Sequence, residues 1–400
     1  MRVVVACIVA CGLATIYCFV VLGYDSWDLA GHWRICKYSL MGIDPFPLIG
    51  KPAAIEAVGA IPKGFSTAPW SLVLGSALYG AMLPMEVARV YVVALHVVAL
   101  AVLAYIVHSR RARWGLQRAD ATLALLLVVV HFSLMYSLRY GNTGGALCIF
   151  LIQAMLIADD HPWLAGILVA FAMTKPQIAV PICGVMLLNG KFRTIALAAA
   201  IDLVSWGCAS VLTGTPALGL LSEMGQYGVM VNKQYLGLLS PLHFAGVAPS
   251  TILAANVGIG VVFTVALWLL VRSRPCRFKG LLTYVPACAA SVVWIYKNGT
   301  DFLILCVCAF FFYYLFAHVE RTPARSLVAL LGMVLMETSR ILVGVFTYTH
   351  ARDLFMVDVI KSVEGFAVLA FVAYLVIRWT RVARVEQDVA RMEQATCSAE

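Results

Sequence analysis

Residues 87–108 read VARVYVVALHVVALAVLAYIVH, an apolar run interrupted only by Arg89, His96 and the closing His108. Crossing ~30 Å of hydrocarbon takes ~20 such residues in helical form. Lipid offers no hydrogen-bond partners to the backbone, so a segment of this kind must satisfy its own groups as an α-helix. Comparable blocks recur at 69–84, 121–138, 142–158, 163–188, 193–212, 250–271, 281–296, 301–317, 326–348 and 355–378. Val3–Leu22, behind Arg2, reads as a retained first helix. It is long for a signal peptide, and no small-residue cleavage site precedes the polar stretch that follows. The expected fold is an all-α polytopic membrane protein with about 12 transmembrane helices.

Composition requires the same class. Of 400 residues, 62% are apolar and 12% charged, with a mean hydropathy of +0.91. A soluble domain is about half apolar and about a quarter charged. The net charge of +9 resides in short basic clusters between apolar blocks. That is the pattern that orients a membrane protein, and no basic stripe with interleaved aromatics points to nucleic acid. The 12 cysteines fall mostly inside the apolar blocks, where they act as small fillers. Cys36 is the main one expected to face outward, and no disulfide framework is expected.

Two polar stretches interrupt the blocks: a large first extracytoplasmic loop at 23–68 and a second outer loop at 213–249. Residues 1–380 form the expected membrane domain, and 381–400 a charged cytoplasmic tail. With the N-terminus inside, alternation puts Lys191, Arg193, the Arg272–Lys279 cluster and the tail inside, and both long loops outside. It misplaces Arg110, Arg111, Arg113 and Arg118. A re-entrant 69–84 together with a hairpin break of 163–188 at Pro176 would repair the count, and both versions stay open here.

Ionisable residues give the first hints of chemistry. Asp25 and Asp28 follow helix 1 directly and, if helical, share a face. They read either as ordinary solvated acids or as a base at the lipid–water boundary. Lys175 lies between apolar runs, beside Pro176 and near Pro181. Burying such a charge costs ~2.5–3.5 kcal/mol on insertion scales, so it calls for a partner or a cavity. Arg340 has Glu337 one turn earlier, and an intrahelical ion pair accounts for it. Lys233 and Lys297 sit where snorkelling is the ordinary explanation. His96 and His131 read as packing residues. Trp27, Trp33 and Tyr38 suit either an interfacial aromatic belt or stacking on a sugar. No Walker loop, dinucleotide fingerprint or HExxH helix is present. Asn298-Gly299-Thr300 matches a glycosylation acceptor over a length short enough to arise by chance.

The stretch from Asp28 to Gly42-Ile43-Asp44-Pro45-Phe46 resembles the opening loop of the GT-C membrane glycosyltransferases, specifically the polyprenol-phosphate-sugar-dependent glycosyltransferase family 87. That family has an Asp after helix 1 and then Gly-x-(Asn/Asp)-Pro-Tyr. Phe46 stands here for the Tyr, and His32 where a Tyr often follows the Asp. Four further segments are similar in order. Tyr140-Gly141-Asn142-Thr143-Gly144-Gly145 precedes an apolar helix, and Ala165-Gly166 leads to Lys175-Pro176-Gln177. Asn232-Lys233-Gln234-Tyr235-Leu236-Gly237-Leu238-Leu239 resembles an Asn-x-Ser-Leu-x-Gly-Leu-Leu run. Trp294 through Lys297 to Asp301 lies where the family has Ser-Pro-x-x-Trp, without the Ser-Pro.

The resemblance implies a GT-C-like bundle that moves a sugar, usually mannose, from a polyprenyl-phosphate donor to a glycolipid or glycan acceptor outside the cell membrane. Asp28 is the expected base, with Asp25 competing. Lys175, Lys297 and Arg34 are the expected phosphate cations, and His32, Trp27, Asn142, Gln177, Asn232, Lys233, Gln234 and Asp301 the expected substrate contacts. Neither metal nor cofactor is expected, the lipid-linked sugar being a substrate. The competing classes are a secondary transporter or lipid flippase, which would couple to an ion gradient, and a non-catalytic subunit of envelope polysaccharide assembly, which would tolerate loss of both aspartates.

Overall fold

The computed structural model describes residues 27–62, 68–114, 116–232, 237–273, 278–294, 299–320, 322–349 and 354–397. Among these residues every regular element is helical and no strand occurs. In chain order they run α1 (Trp27–Leu40), α2 (Ser71–Leu78), α3 (Met85–Arg110), α4 (Arg118–Val130), α5 (Phe132–Tyr140), α6 (Gly144–Ile157), α7 (Pro162–Ala172) and α8 (Pro176–Leu188). There follow α9 (Phe192–Thr213), α10 (Ala217–Asn232), α11 (Pro249–Arg272), α12 (Lys279–Leu282), α13 (Val285–Ser291), α14 (Cys306–Tyr314), α15 (Pro323–Thr349) and α16 (Leu354–Cys397). A 3-10 segment, Gly299–Leu305, leads into α14. The last helix runs unbroken to Cys397, within the charged tail.

By length and apolarity, five of the described segments can cross a membrane, and a sixth if α4 and α5 form one span bent by 44°. The described residues do not reach the twelve expected spans by that measure: several apolar blocks are broken, and the expected first helix, Val3–Leu22, lies outside the described residues. The bend between α4 and α5 falls at His131. There Nδ1 accepts from Ser133 N (3.2 Å) and the other ring nitrogen meets Met336 O (3.1 Å), so the histidine caps the new helix.

Two breaks change the path expected from sequence. The block 69–84 is not a span: α2 holds eight residues and stops at Tyr79-Gly80, where Gly80 has a positive φ of 59°. The block 163–188 divides at Met173–Lys175. Lys175 takes an extended conformation (φ −120°, ψ 76°) ahead of Pro176, which opens α8. Proline disfavours a helical residue before it and is tolerated at the first helical position, so this sequence ends one helix and starts another. At 1.5 Å per residue, α7 and α8 reach only about 17 and about 20 Å.

The tip of this α7–α8 hairpin meets the start of α2. Trp70 Nε1 donates to Met173 O at 2.8 Å and Ser71 Oγ to Thr174 O at 3.3 Å. Its two ends return together to the opposite side, where Arg110 donates to Leu156 O (2.8 Å) and pairs with Asp160 (2.7 Å), Lys191 pairs with Asp159, and Arg272 donates to Leu188 O (3.1 Å). The arginine-rich loop after α3 therefore shares one end with Lys191 and the Arg272–Lys279 cluster. The non-spanning 69–84 and the broken 163–188 are the two features that the repaired alternation requires; its first helix lies outside the described residues.

At the centre stands α6. Twelve of its residues are buried, among them Leu147, Ile149 and Leu151. A helix apolar on every face belongs inside a protein. Small residues let its neighbours approach: a Cβ at Gly166 of α7 would lie 2.9 Å from Thr194 O of α9.

Candidate functional site

The site lies where α6 begins. Gly141 closes α5 with φ 66° in the left-handed region, which a residue without a Cβ adopts at little cost. The reversal lets Asn142 N donate to Ser137 O (2.9 Å) and turns the Asn142 side chain inward. Asn142 Oδ1 accepts from Gly144 N at 2.7 Å, fixing the amide so that its NH2 points away from the α6 start. That NH2 donates to Asp28 Oδ2 at 3.1 Å, across 114 residues of chain. Asp28 sits in the first turn of α1 and is 7% exposed.

Facing this pair is an ion pair. Lys175, at the break before α8, directs Nζ to Asp301 Oδ1 at 2.9 Å. Asp301 is fully buried in the 3-10 segment before α14, and Lys175 nearly so. An isolated ammonium or carboxylate is expensive to bury, and each of these charges compensates the other.

His32, one turn after Asp28 on α1, stacks on Tyr79 with ring centroids 4.8 Å apart and planes 10° from parallel. Enclosure by protein, and secondly the Lys175 ammonium, push its imidazole down to about 3, with Asp301 acting weakly the other way. His32 is therefore neutral at ordinary pH. The Tyr79 hydroxyl approaches Thr143, although the Thr143 Oγ1 atom meets no hydrogen-bond geometry, and it senses the charges of Asp28 and Asp301. Asp28, His32, Tyr79, Asn142, Thr143, Lys175 and Asp301 thus converge from five separate parts of the chain. They combine a carboxylate, a cation held by a counter-charge, and a neutral aromatic wall. Such a set can take a proton, hold an anion and line a polar ring.

A family model for glycosyltransferase family 87 matches residues 68–338. The chain belongs to glycosyltransferase family 87. This membrane glycosyltransferase carries Asn142, Lys175 and Asp301 inside the matched stretch, while Asp28 and His32 precede it. No curated protein and no solved structure matches the chain.

Other residues singled out in the sequence of this family-87 chain are placed elsewhere. Arg34 is engaged with a loop: its Nε donates to Val58 O (3.1 Å), one terminal nitrogen to Ala60 O (3.0 Å), and Gly59 packs on the guanidinium. These bonds fasten the stretch after α1. Trp33 and Tyr38 are core residues, with Trp33 Nε1 donating to Leu83 O (3.2 Å) and Tyr38 Oη to Gly59 O (3.0 Å). Cys36, expected to face outward, is buried, because α2 folds back over α1 and presents Gly75 to its sulfur. Gln177 contributes its carbonyl, which accepts from Trp294 Nε1 at 2.7 Å. Gly237 and Leu238 lie against the same region, Leu238 N donating to Val293 O at 3.2 Å.

Asp25, Lys233, Gln234 and Lys297 lie outside the described residues, as do the side chains of Trp27, Asn232 and Arg340. Among the described residues no group of three or more His, Cys, Asp or Glu side chains is arranged to hold a metal ion. Sequence reasoning missed Tyr79. It lies inside the apolar block 69–84 read as a span, and only the fold reveals that α2 turns it toward His32.

Proposed function

We propose that this family-87 enzyme transfers a sugar, mannose by analogy with the family's usual donor, from a polyprenyl phosphate to an acceptor hydroxyl on a glycolipid or glycan. The observation that carries this reading is the buried Asp28 carboxylate held by Asn142, in the same site as the Lys175–Asp301 pair. Asp28 accepts the proton of the acceptor hydroxyl, whose oxygen forms a bond to the anomeric carbon. The bond from that carbon to the phosphate oxygen breaks, and its electron pair leaves with the lipid phosphate. A phosphate needs no acid to depart, so a single carboxylate suffices, and attack from the opposite face inverts the anomeric centre.

Lys175 supplies positive charge for the leaving phosphate, and Asp301 holds that charge in place before the donor arrives. His32 and Tyr79 offer an uncharged stacked surface for the sugar. The basic end, with Arg110, Arg113, Lys191 and Arg272, suits the cytoplasmic face of the cell membrane. The site then lies toward the opposite, outer face. The Lys175 ammonium supplies the positive charge that the leaving phosphate needs, so the proposed transfer should proceed without a metal and be unchanged by EDTA.

The test is purified protein incubated with a panel of labelled polyprenyl-phosphate sugars and membrane lipid acceptors. Asp28→Ala should lower transfer by about 10²–10⁴-fold, the usual value of a general base, while melting stays near wild type. Wild-type transfer in that variant would overturn the assignment and return attention to Asp25.

A further inference from the structure

The end of the bundle opposite Asp28 contains a cavity. It measures about 410 Å³ and lies among the ends of α3, α6 and α8 and the start of α12. The fourteen residues of α6 separate it from Asn142, a distance of about 21 Å. Its wall carries Arg110, Arg113, Lys191 and Lys279 against only two carboxylates, Asp159 and Asp160, which leaves an excess of positive charge.

The existing pairs leave room for an anion. Asp160 Oδ2 accepts from Arg113 (2.6 Å) and pairs with Arg110 (2.7 Å), so one carboxylate serves two guanidinium groups. Arg113 remains 59% exposed, and Lys279 Nζ donates to an uncharged partner, Arg272 O, at 2.7 Å. Behind the charges, Met155 and Phe278 give the cavity an apolar floor.

The surrounding surface sets its depth in the membrane. Tyr105 near the end of α3, Trp163 at the start of α7 and Phe192 at the start of α9 are 74%, 63% and 65% exposed. Aromatic residues on the outside of an apolar bundle mark the membrane–water boundary. A cationic cavity of this size, at that level and with an apolar floor, matches a lipid head group with its glycerol. We propose that this cavity binds the phosphodiester head group of an anionic membrane phospholipid, with Arg113 and Lys279 meeting the phosphate. The bound lipid ties four helix ends together and does not take part in sugar transfer.

The test uses the full chain in micelles doped with phosphatidylglycerol or phosphatidylcholine, reading retained lipid by native mass spectrometry and stability by thermal melting. Wild type should retain phosphatidylglycerol at least tenfold over phosphatidylcholine and melt higher with it. The Arg113→Gln/Lys279→Gln variant should lose that preference at least tenfold, while melting as wild type does in phosphatidylcholine and keeping its basal transfer. Lys51→Gln, on the exposed loop after α1, should change nothing. Should the double variant not fold, Lys279→Gln alone should lower the preference at least threefold. Equal retention of both lipids, or retention unchanged in the variants, would overturn the proposal. So would inorganic phosphate raising the melting temperature as much as phosphatidylglycerol does, since the cavity would then serve a free anion.

Discussion

Lys175 Nζ lies 2.9 Å from Asp301 Oδ1 across 126 residues of sequence, inside a bundle whose other buried groups are mostly apolar. The pair joins the α7–α8 break to the start of α14 and places charge at the head of α6. Removing either member takes from the other the counter-charge it holds at 2.9 Å in a buried setting.

Asp301→Ala and Lys175→Met should therefore each destabilise the protein by about 3–5 kcal/mol. The double variant should be less destabilised than the sum of the two. Thermal melting of the three purified variants in one detergent measures the coupling. Additive losses would mean that the pair contributes nothing as a pair.

Asn142→Ala removes one charged hydrogen bond from Asp28 and the anchor of Gly144 N. A bond of that type is worth about 1.5–3 kcal/mol, which corresponds to a fall in kcat of roughly ten- to hundredfold. KM for the donor should move little, because Asn142 bonds the proposed base, Asp28, and the proposal gives it no contact with the lipid phosphate. Steady-state kinetics on purified protein separates the two quantities, and a pure KM effect would place Asn142 on the donor instead.

His32 carries a pH signature. Its imidazole is held at about 3 against an ordinary 6.5, so between these values the unfolded chain binds a proton that the folded chain refuses. The sign follows: this contribution is complete above the ordinary value and is lost as pH falls from there toward 3. Melting temperature should drop on acidification from pH 7 to pH 4.5, and less steeply in His32→Gln. Transfer between pH 6 and 8 should show no inflection that His32→Gln removes.

Arg34→Ala distinguishes a loop fastener from a phosphate ligand. Loss of its bonds to Val58 O and Ala60 O should cost about 1–3 kcal/mol and expose the loop after α1 to proteolysis. The donor KM should stay within about twofold. A large rise in KM with unchanged melting would return Arg34 to the phosphate.

Much of the site was legible one residue at a time. Lys175 stood out because a lysine between apolar runs is costly unless something receives it. Asn142 and Asp301 stood in short segments that resemble family 87, and the family match over 68–338 contains both. The surroundings of Arg34 and Cys36 were not legible for one reason: residues 41–80 read as an outer loop followed by a span. The described parts, 41–62 and 68–80, fold back over α1, burying Cys36 and giving Arg34 two carbonyls.

By itself, the sequence determined that this protein is a helical membrane bundle. Apolar runs of spanning length leave the backbone no alternative in lipid, and the basic clusters mark which helix ends gather together. Proline at 176 and glycine at 141 even marked where the chain must break or turn. Only the tertiary structure decided what those breaks accomplish. Pairing Asp28 with Asn142 and Lys175 with Asp301 depends on how far each helix is displaced along its neighbours. That register is set by packing around Gly166 and α6, and hydropathy, which is nearly uniform along a buried helix, does not encode it.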